Sequence, residues 1–133
     1  MPSQKKILVV TQHFWPENFR INDIVEGFLQ DGIAVDVLCG LPNYPKGEWF
    51  PGYSAAGPFE EEWHGARLYR CKEVPRRGNT SVNIFLNYVS WPWYAAHALH
   101  RLPDGYDAVF CFNTSPVLMC WPAIRYAKKH HIP

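Results

Sequence analysis

"ILVVTQHFWPENFRINDIVEGFLQDGIAVDVLCG", Ile7 to Gly40, is the stretch on which the fold turns. It opens with a short apolar run, Ile7 to Val10, of the kind that forms a buried strand. Ile21, Ile24, Val25, Phe28 and Leu29 then recur at the i, i+3, i+4, i+7, i+8 spacing of one buried helix face, and Asp31-Gly32 closes that helix. Ile33 to Cys39 reads as a second strand. Strand, helix, strand is the opening of a right-handed parallel βαβ unit.

Working outward, Ala66 to Val74 is a third strand, a helical stretch runs from about Val82 to Leu102, Tyr106 to Phe112 is a fourth strand, and Val117 to His130 is a further helix. This order predicts an α/β chain with a Rossmann-like, three-layer parallel sheet. The segment from Gly40 to Trp63 has no usable period and carries Pro42, Pro45, Pro51 and Pro58, and loops of that length in compact domains are usually functional or disordered. Its aromatic residues speak against simple disorder. After "KKHHIP" a further buried strand is due, so the sheet is expected to be incomplete at the C-terminus and the chain to be part of something larger.

With 133 residues there is material for one core, and a domain of this size buries roughly two thirds of its unfolded surface. Thirteen Lys and Arg stand against twelve Asp and Glu, without the concentrated positive charge of a nucleic-acid binder. DNA and RNA are therefore set aside as partners. Cys39, Cys71, Cys111 and Cys120 form no C-x-x-C pair, and most lie in apolar, strand-like runs, which fits a reduced, cytoplasmic setting. The lysines before Ile7 precede a run too short for a signal-peptide core, so no export is expected.

The first loop excludes the commonest use of this fold. A dinucleotide site needs G-x-G-x-x-G after the first strand and an acid at the end of the second, whereas Thr11 to Arg20 contains no glycine and the second strand ends Leu38-Cys39-Gly40. His13, His64, His97, His100, His130 and His131 show no H-x-x-x-H or H-E-x-x-H spacing, and no metal or resident cofactor is expected. Ser115 follows the fourth strand without a G-x-S-x-G elbow, so with Pro116 behind it helix capping is its simpler role. The same position faces the crevice where open α/β sheets bind ligands, which keeps Asn113, Thr114 and Ser115 as candidates for the floor of a cleft.

Val82 to His100 lacks any Asp, Glu, Lys or Arg and includes Phe85, Tyr88, Trp91, Trp93 and Tyr94. Asn83, Asn87, Ser90, Pro92 and the two histidines make a transmembrane placement expensive. Two readings stand: a proline-kinked core helix, or an interfacial helix resting those five aromatic rings at the membrane surface. The need to cover a sheet face speaks for the core.

Taken in order, "TQHFWPENFR", "LCGLPNYPKGEWFPGY", "LYRCKEVP" and "NTSPVLMCWPAIRYAKKHHIP" resemble the N-terminal domain of a GT-B glycosyltransferase of family 4, in the branch that builds bacterial O-antigen, colanic-acid and related surface polysaccharides. The resemblance spans nearly all of the chain. It implies the acceptor-binding half of a retaining enzyme that moves a sugar from a nucleotide-sugar donor to a lipid-linked glycan acceptor. The donor, in the family, is held by a C-terminal domain with a Glu-x7-Glu signature, so these residues alone are expected to be inactive. A separately encoded donor half, or a membrane-associated binding module without sugar chemistry, are the alternatives. The resemblance points to His13, Trp15, Glu17, Asn18 and Arg20 in the first loop and to Asn43, Tyr44 and Lys46 in the second as acceptor-binding residues. Where relatives are glycine-rich after Pro-Glu, this chain has Asn18-Phe19-Arg20, and Arg20 supplies charge near the helix start. The implied location is cytoplasmic, peripheral to the membrane.

Overall fold

The structure, a computed structural model, describes residues 3–112 and 117–133. Its strands are β1 (Lys6–Val10), β2 (Ala34–Gly40), β3 (Glu60–Trp63), β4 (Ala66–Cys71) and β5 (Ala108–Cys111), joined by the helices α1 (Arg20–Gln30), α2 (Ser81–His97) and α3 (Trp121–His130). They form one five-stranded sheet in the order β3-β4-β2-β1-β5. β1 pairs in parallel with β2 and β5, and β2 pairs in parallel with β4.

The expected all-parallel sheet is corrected at one edge. Glu60–Trp63, inside the segment read as an unbroken loop, is a strand running antiparallel to β4. The two are joined by His64 and Gly65, both at positive φ (51° and 90°), the geometry a two-residue hairpin turn requires. Glu60 and Glu62 of β3 are exposed on this outermost strand.

Strand alternation divides the core into two. Val9, Val35, Val37, Cys39, Ala66 and Leu68 face α1, where Ile21 and Val25 cover them. Leu8, Val10, Leu38, Tyr69 and Cys71 face the opposite way, under Trp91 and Ala95 of α2 and Ala123 and Tyr126 of α3. Helices on both faces make the three layers, and burial on both faces explains why β1, and β2 apart from Asp36, read as apolar runs; Asp36 accepts from the Tyr106 hydroxyl at 2.6 Å.

The helix at residues 82–102 is shorter than its sequence pattern. α2 starts where the Thr80 side chain accepts from the Asn83 N–H, and it ends at His97 before a 3-10 turn over Leu99–Arg101. Likewise Val117–Cys120 is a 3-10 turn leading into α3. From β1 the chain steps outward through β2 in one direction and later crosses to β5 on the other side. That reversal puts the loop after β1 at the crevice where open α/β sheets take ligands.

Candidate functional site

Three loops converge at the carboxyl ends of the strands: residues 11–19 after β1, 41–59 after β2 and 72–80 after β4. Glu17 ties the first to the second. Its side chain is fully buried, and its Oε2 accepts from the backbone N–H groups of Asn43 (3.1 Å) and Tyr44 (2.7 Å). His13 Nδ1 lies 3.3 Å from both carboxylate oxygens, and the Asn22 side chain donates to the Glu17 carbonyl at 2.8 Å. The His13 ring stacks on Phe19 at 4.7 Å and tilts against Tyr44 at 5.2 Å.

The second loop is locked to the third in turn. Asn43 is buried, donates to the Leu41 carbonyl at 2.9 Å and accepts from the Arg76 N–H at 3.5 Å. The Arg76 guanidinium lies over the rings of Tyr44 (5.1 Å) and Tyr88 (5.6 Å). Gly47, at φ +74°, comes so close to Arg76 that a Cβ there would stand 2.2 Å from its carbonyl oxygen. No other residue type fits that approach.

Beneath the loops lies a polar layer that sequence reading missed. Glu73 is buried two residues past the end of β4, at the start of the third loop, and its Oε2 accepts from the side-chain amides of Gln12 and Asn87. Asn87 also donates to the Val74 carbonyl at 2.8 Å. Burial pushes the Glu73 carboxyl well above the usual carboxylate range, and the nearby Glu17 carboxylate pushes it the same way, against the amide donors that favour ionisation. A neutral acid suits an environment that offers donors to one oxygen and none to the other. Gly40 closes this layer, since a Cβ at that position would stand 2.1 Å from Glu73 Oε1.

Arg70, wholly buried, is the second missed anchor. It donates to the carbonyls of Gly40 (2.8 Å) and Trp15 and pairs with Glu61 at 2.6 Å, fastening the first loop and the β3 hairpin to the sheet. A signal for it was present, because Arg70 sits between Tyr69 and Cys71 in a strand flanked by apolar positions, where a buried arginine needs partners.

Above this frame the surface is open and mixed. Two adjoining clefts of about 330 and 450 Å³ share Trp49 and Arg77; Glu73, Pro75 and Asn83 line the first, Lys46, Glu48 and Gly78 the second. An indole face, two cations, a carboxylate and an amide can stack on and hydrogen-bond a polyhydroxylated ligand that carries negative charge.

The expected site residues thus separate into two kinds. Trp15, Asn18, Arg20 and Lys46 are exposed and available, and Tyr44 is half-buried at the rim. His13, Glu17 and Asn43 are buried and engaged with protein groups, so they shape the loops and do not present themselves as free acceptors for a ligand hydroxyl. Asn113, Thr114 and Ser115 lie outside the described residues. Of the five aromatics assigned to a membrane interface, Trp91 is corrected: it is wholly buried between α2 and the sheet. Tyr88 is half-buried, while Phe85, Trp93 and Tyr94 are exposed.

Cysteine chemistry has no foothold at the strand ends, because burial pushes the Cys39 and Cys71 thiols up to about 12. Among the described residues no three His, Cys, Asp or Glu side chains converge as a metal-binding group. No helix among them is long and apolar enough to cross a membrane.

Comparison with models of known protein families and with curated proteins found no match to the chain.

Proposed function

We propose that this chain is the acceptor-binding half of a retaining GT-B glycosyltransferase of family 4, acting on a lipid-linked glycan in bacterial surface polysaccharide synthesis. The observation that carries the reading is the Glu17 lock. It joins "HFWPE" to "PNYP", the two stretches whose resemblance to the family is most specific, through two backbone hydrogen bonds made by one buried carboxylate. Motifs that interlock in space support a reading in which they work as a unit.

In this proposal the nucleotide sugar is held by a second domain, and these residues supply the acceptor cleft. Trp49 stacks on the acceptor sugar's C–H face, Lys46 and Arg77 meet the phosphate of its lipid carrier, and Asn83 takes a hydroxyl. Trp15, Asn18 and Arg20 face the transferred group from the first loop. Positioning by such a wall is worth several kcal/mol in a bimolecular transfer. The leaving diphosphate is stabilised by the donor half, so activity belongs to the two halves together.

Ligand-observed NMR on the chain tests this, using a short-chain prenyl diphosphate sugar and, separately, a nucleotide sugar. The prenyl-linked sugar should show saturation transfer that Trp49→Ala and Arg77→Ala each abolish, with little transfer to the nucleotide sugar. Binding of the nucleotide sugar alone, or of neither, would sink the assignment.

A further inference from the structure

Two of the four cysteines meet. The Cys111 thiol donates to Cys120 Sγ at 3.4 Å, and both side chains are half-buried, so small reagents can approach them from solvent. Cys39 and Cys71 are placed differently. They are buried on opposite faces of the sheet, each with an arginine against its sulfur, Arg70 at 3.6 Å and Arg101 at 3.9 Å. Eight residues separate Cys111 from Cys120, so no C-x-x-C spacing announces the pair.

The contact lies where the α3 layer leaves the sheet. Cys111 ends β5, level with Val10 at the end of β1, and Cys120 closes the 3-10 turn Val117–Cys120 immediately before α3. Beyond the other end of α3 the chain returns to the same strand, where the Val109 N–H donates to the Pro133 carbonyl at 2.8 Å. A backbone hydrogen bond thus ties the far end of this layer to β5, and two sulfurs in contact lie at the near end.

We propose that Cys111 and Cys120 form a reversible thiol–disulfide site, oxidised by exchange with a low-molecular-weight disulfide such as glutathione disulfide, and that the bridge clamps the start of α3 to β5. Burial and the hydrogen bond to Cys120 push the Cys111 thiol up to about 12, so Cys111 keeps its proton and the reaction starts at Cys120, off the strands. The Cys120 thiolate attacks one sulfur of glutathione disulfide and expels a glutathione thiolate, leaving a mixed disulfide. Cys111 then loses its proton, and its sulfur attacks Cys120 Sγ and expels the second glutathione. Two protein thiols are oxidised and one glutathione disulfide is reduced; the two protons that the cysteines release are those that the two glutathione thiolates take up. Little movement is asked of sulfurs already in contact, since the covalent bond is about 2.05 Å long. The bridge closes a ring of ten residues, which restricts the unfolded chain. Neither cysteine belongs to the acceptor cleft, and the site does not rest on the sugar reading.

Mass spectrometry of the whole chain, equilibrated in glutathione buffers and trapped with N-ethylmaleimide under unfolding conditions, is the test. Trypsin leaves both cysteines in one peptide, residues 102–125, and separates them from Cys39 and Cys71. As glutathione disulfide rises, that peptide should lose two hydrogens and both maleimide labels while Cys39 and Cys71 remain labelled, and dithiothreitol should reverse the change. Cys111→Ser should halt the reaction at a glutathione adduct on Cys120, whereas in Cys120→Ser the remaining Cys111 should take up glutathione at least about tenfold more slowly. The oxidised parent should melt about 5–10 °C above the reduced one, a difference that both serine variants lose. Two labels retained on residues 102–125 in the most oxidising buffer, or earlier oxidation of Cys39 or Cys71, would overturn the proposal on the parent chain alone. A bridge that leaves the melting temperature unchanged would overturn the clamp.

Discussion

Glu17 shows how a residue conspicuous in sequence does its work from the inside. Its carboxylate holds two backbone amides and faces His13, so Glu17→Ala should cost at least about 1–3 kcal/mol in urea unfolding, because the Asn43 and Tyr44 N–H groups lose the one oxygen that accepts from both. Glu73 behaves differently because its folded carboxyl holds its proton above the usual range. Its stabilising contribution is complete below the ordinary carboxylate value of about 4.5 and is lost as pH rises from there through the raised folded value, since the unfolded chain has already released the proton. Glu73→Gln imitates the neutral acid. The stability of the variant relative to the parent should therefore increase from pH 5 to pH 8, as read from paired urea midpoints, and a difference that stays flat would refute a retained proton. The sequence displayed Glu17 and His13 through their place after β1. Gln12, Glu73 and Asn87 were invisible, because their meeting brings together two loops and the helix α2 and depends on no local spacing.

α2 is the element whose sequence leaves its orientation open and whose structure settles it. Trp91 points into the core and Trp93 out of it, although two positions separate them. Trp91→Ala should cost about 3–5 kcal/mol by opening a cavity, while Trp93→Ala, which loses only its contacts with His97 and Trp121, should cost under about 1 kcal/mol. Equal costs in thermal or urea unfolding would contradict this placement. Hydropathy did not distinguish the faces, since every side of the helix is apolar and period carries no phase when both faces look alike. β1, α1 and β2 were legible because burial on both faces of a strand and on one face of a helix writes a clear pattern. β3 escaped because its apolar positions are few and its glutamates imitate a loop, yet His64-Gly65 between Trp63 and Ala66 was a readable hairpin turn.

At the scale of the molecule, the two core layers share one sheet, so neither can melt while the other stands. Urea unfolding followed by tryptophan fluorescence and by far-ultraviolet circular dichroism should give coincident curves, with a slope of about 1–3 kcal/mol per molar urea. Separated midpoints would show the α2–α3 layer loosening by itself. The glutamates on β3 have a consequence beyond this one molecule. A bare sheet edge invites a neighbouring molecule to add its own strand, and repetition of that step builds ribbons. Glu60 and Glu62 share Arg67, which lies 3.5 Å from each, so the pair keeps a net negative charge on that edge and two copies approaching β3 to β3 repel before their backbones can pair. That guard limits polymerisation from this side at high concentration, and it costs the fold little, since the charges stay in water.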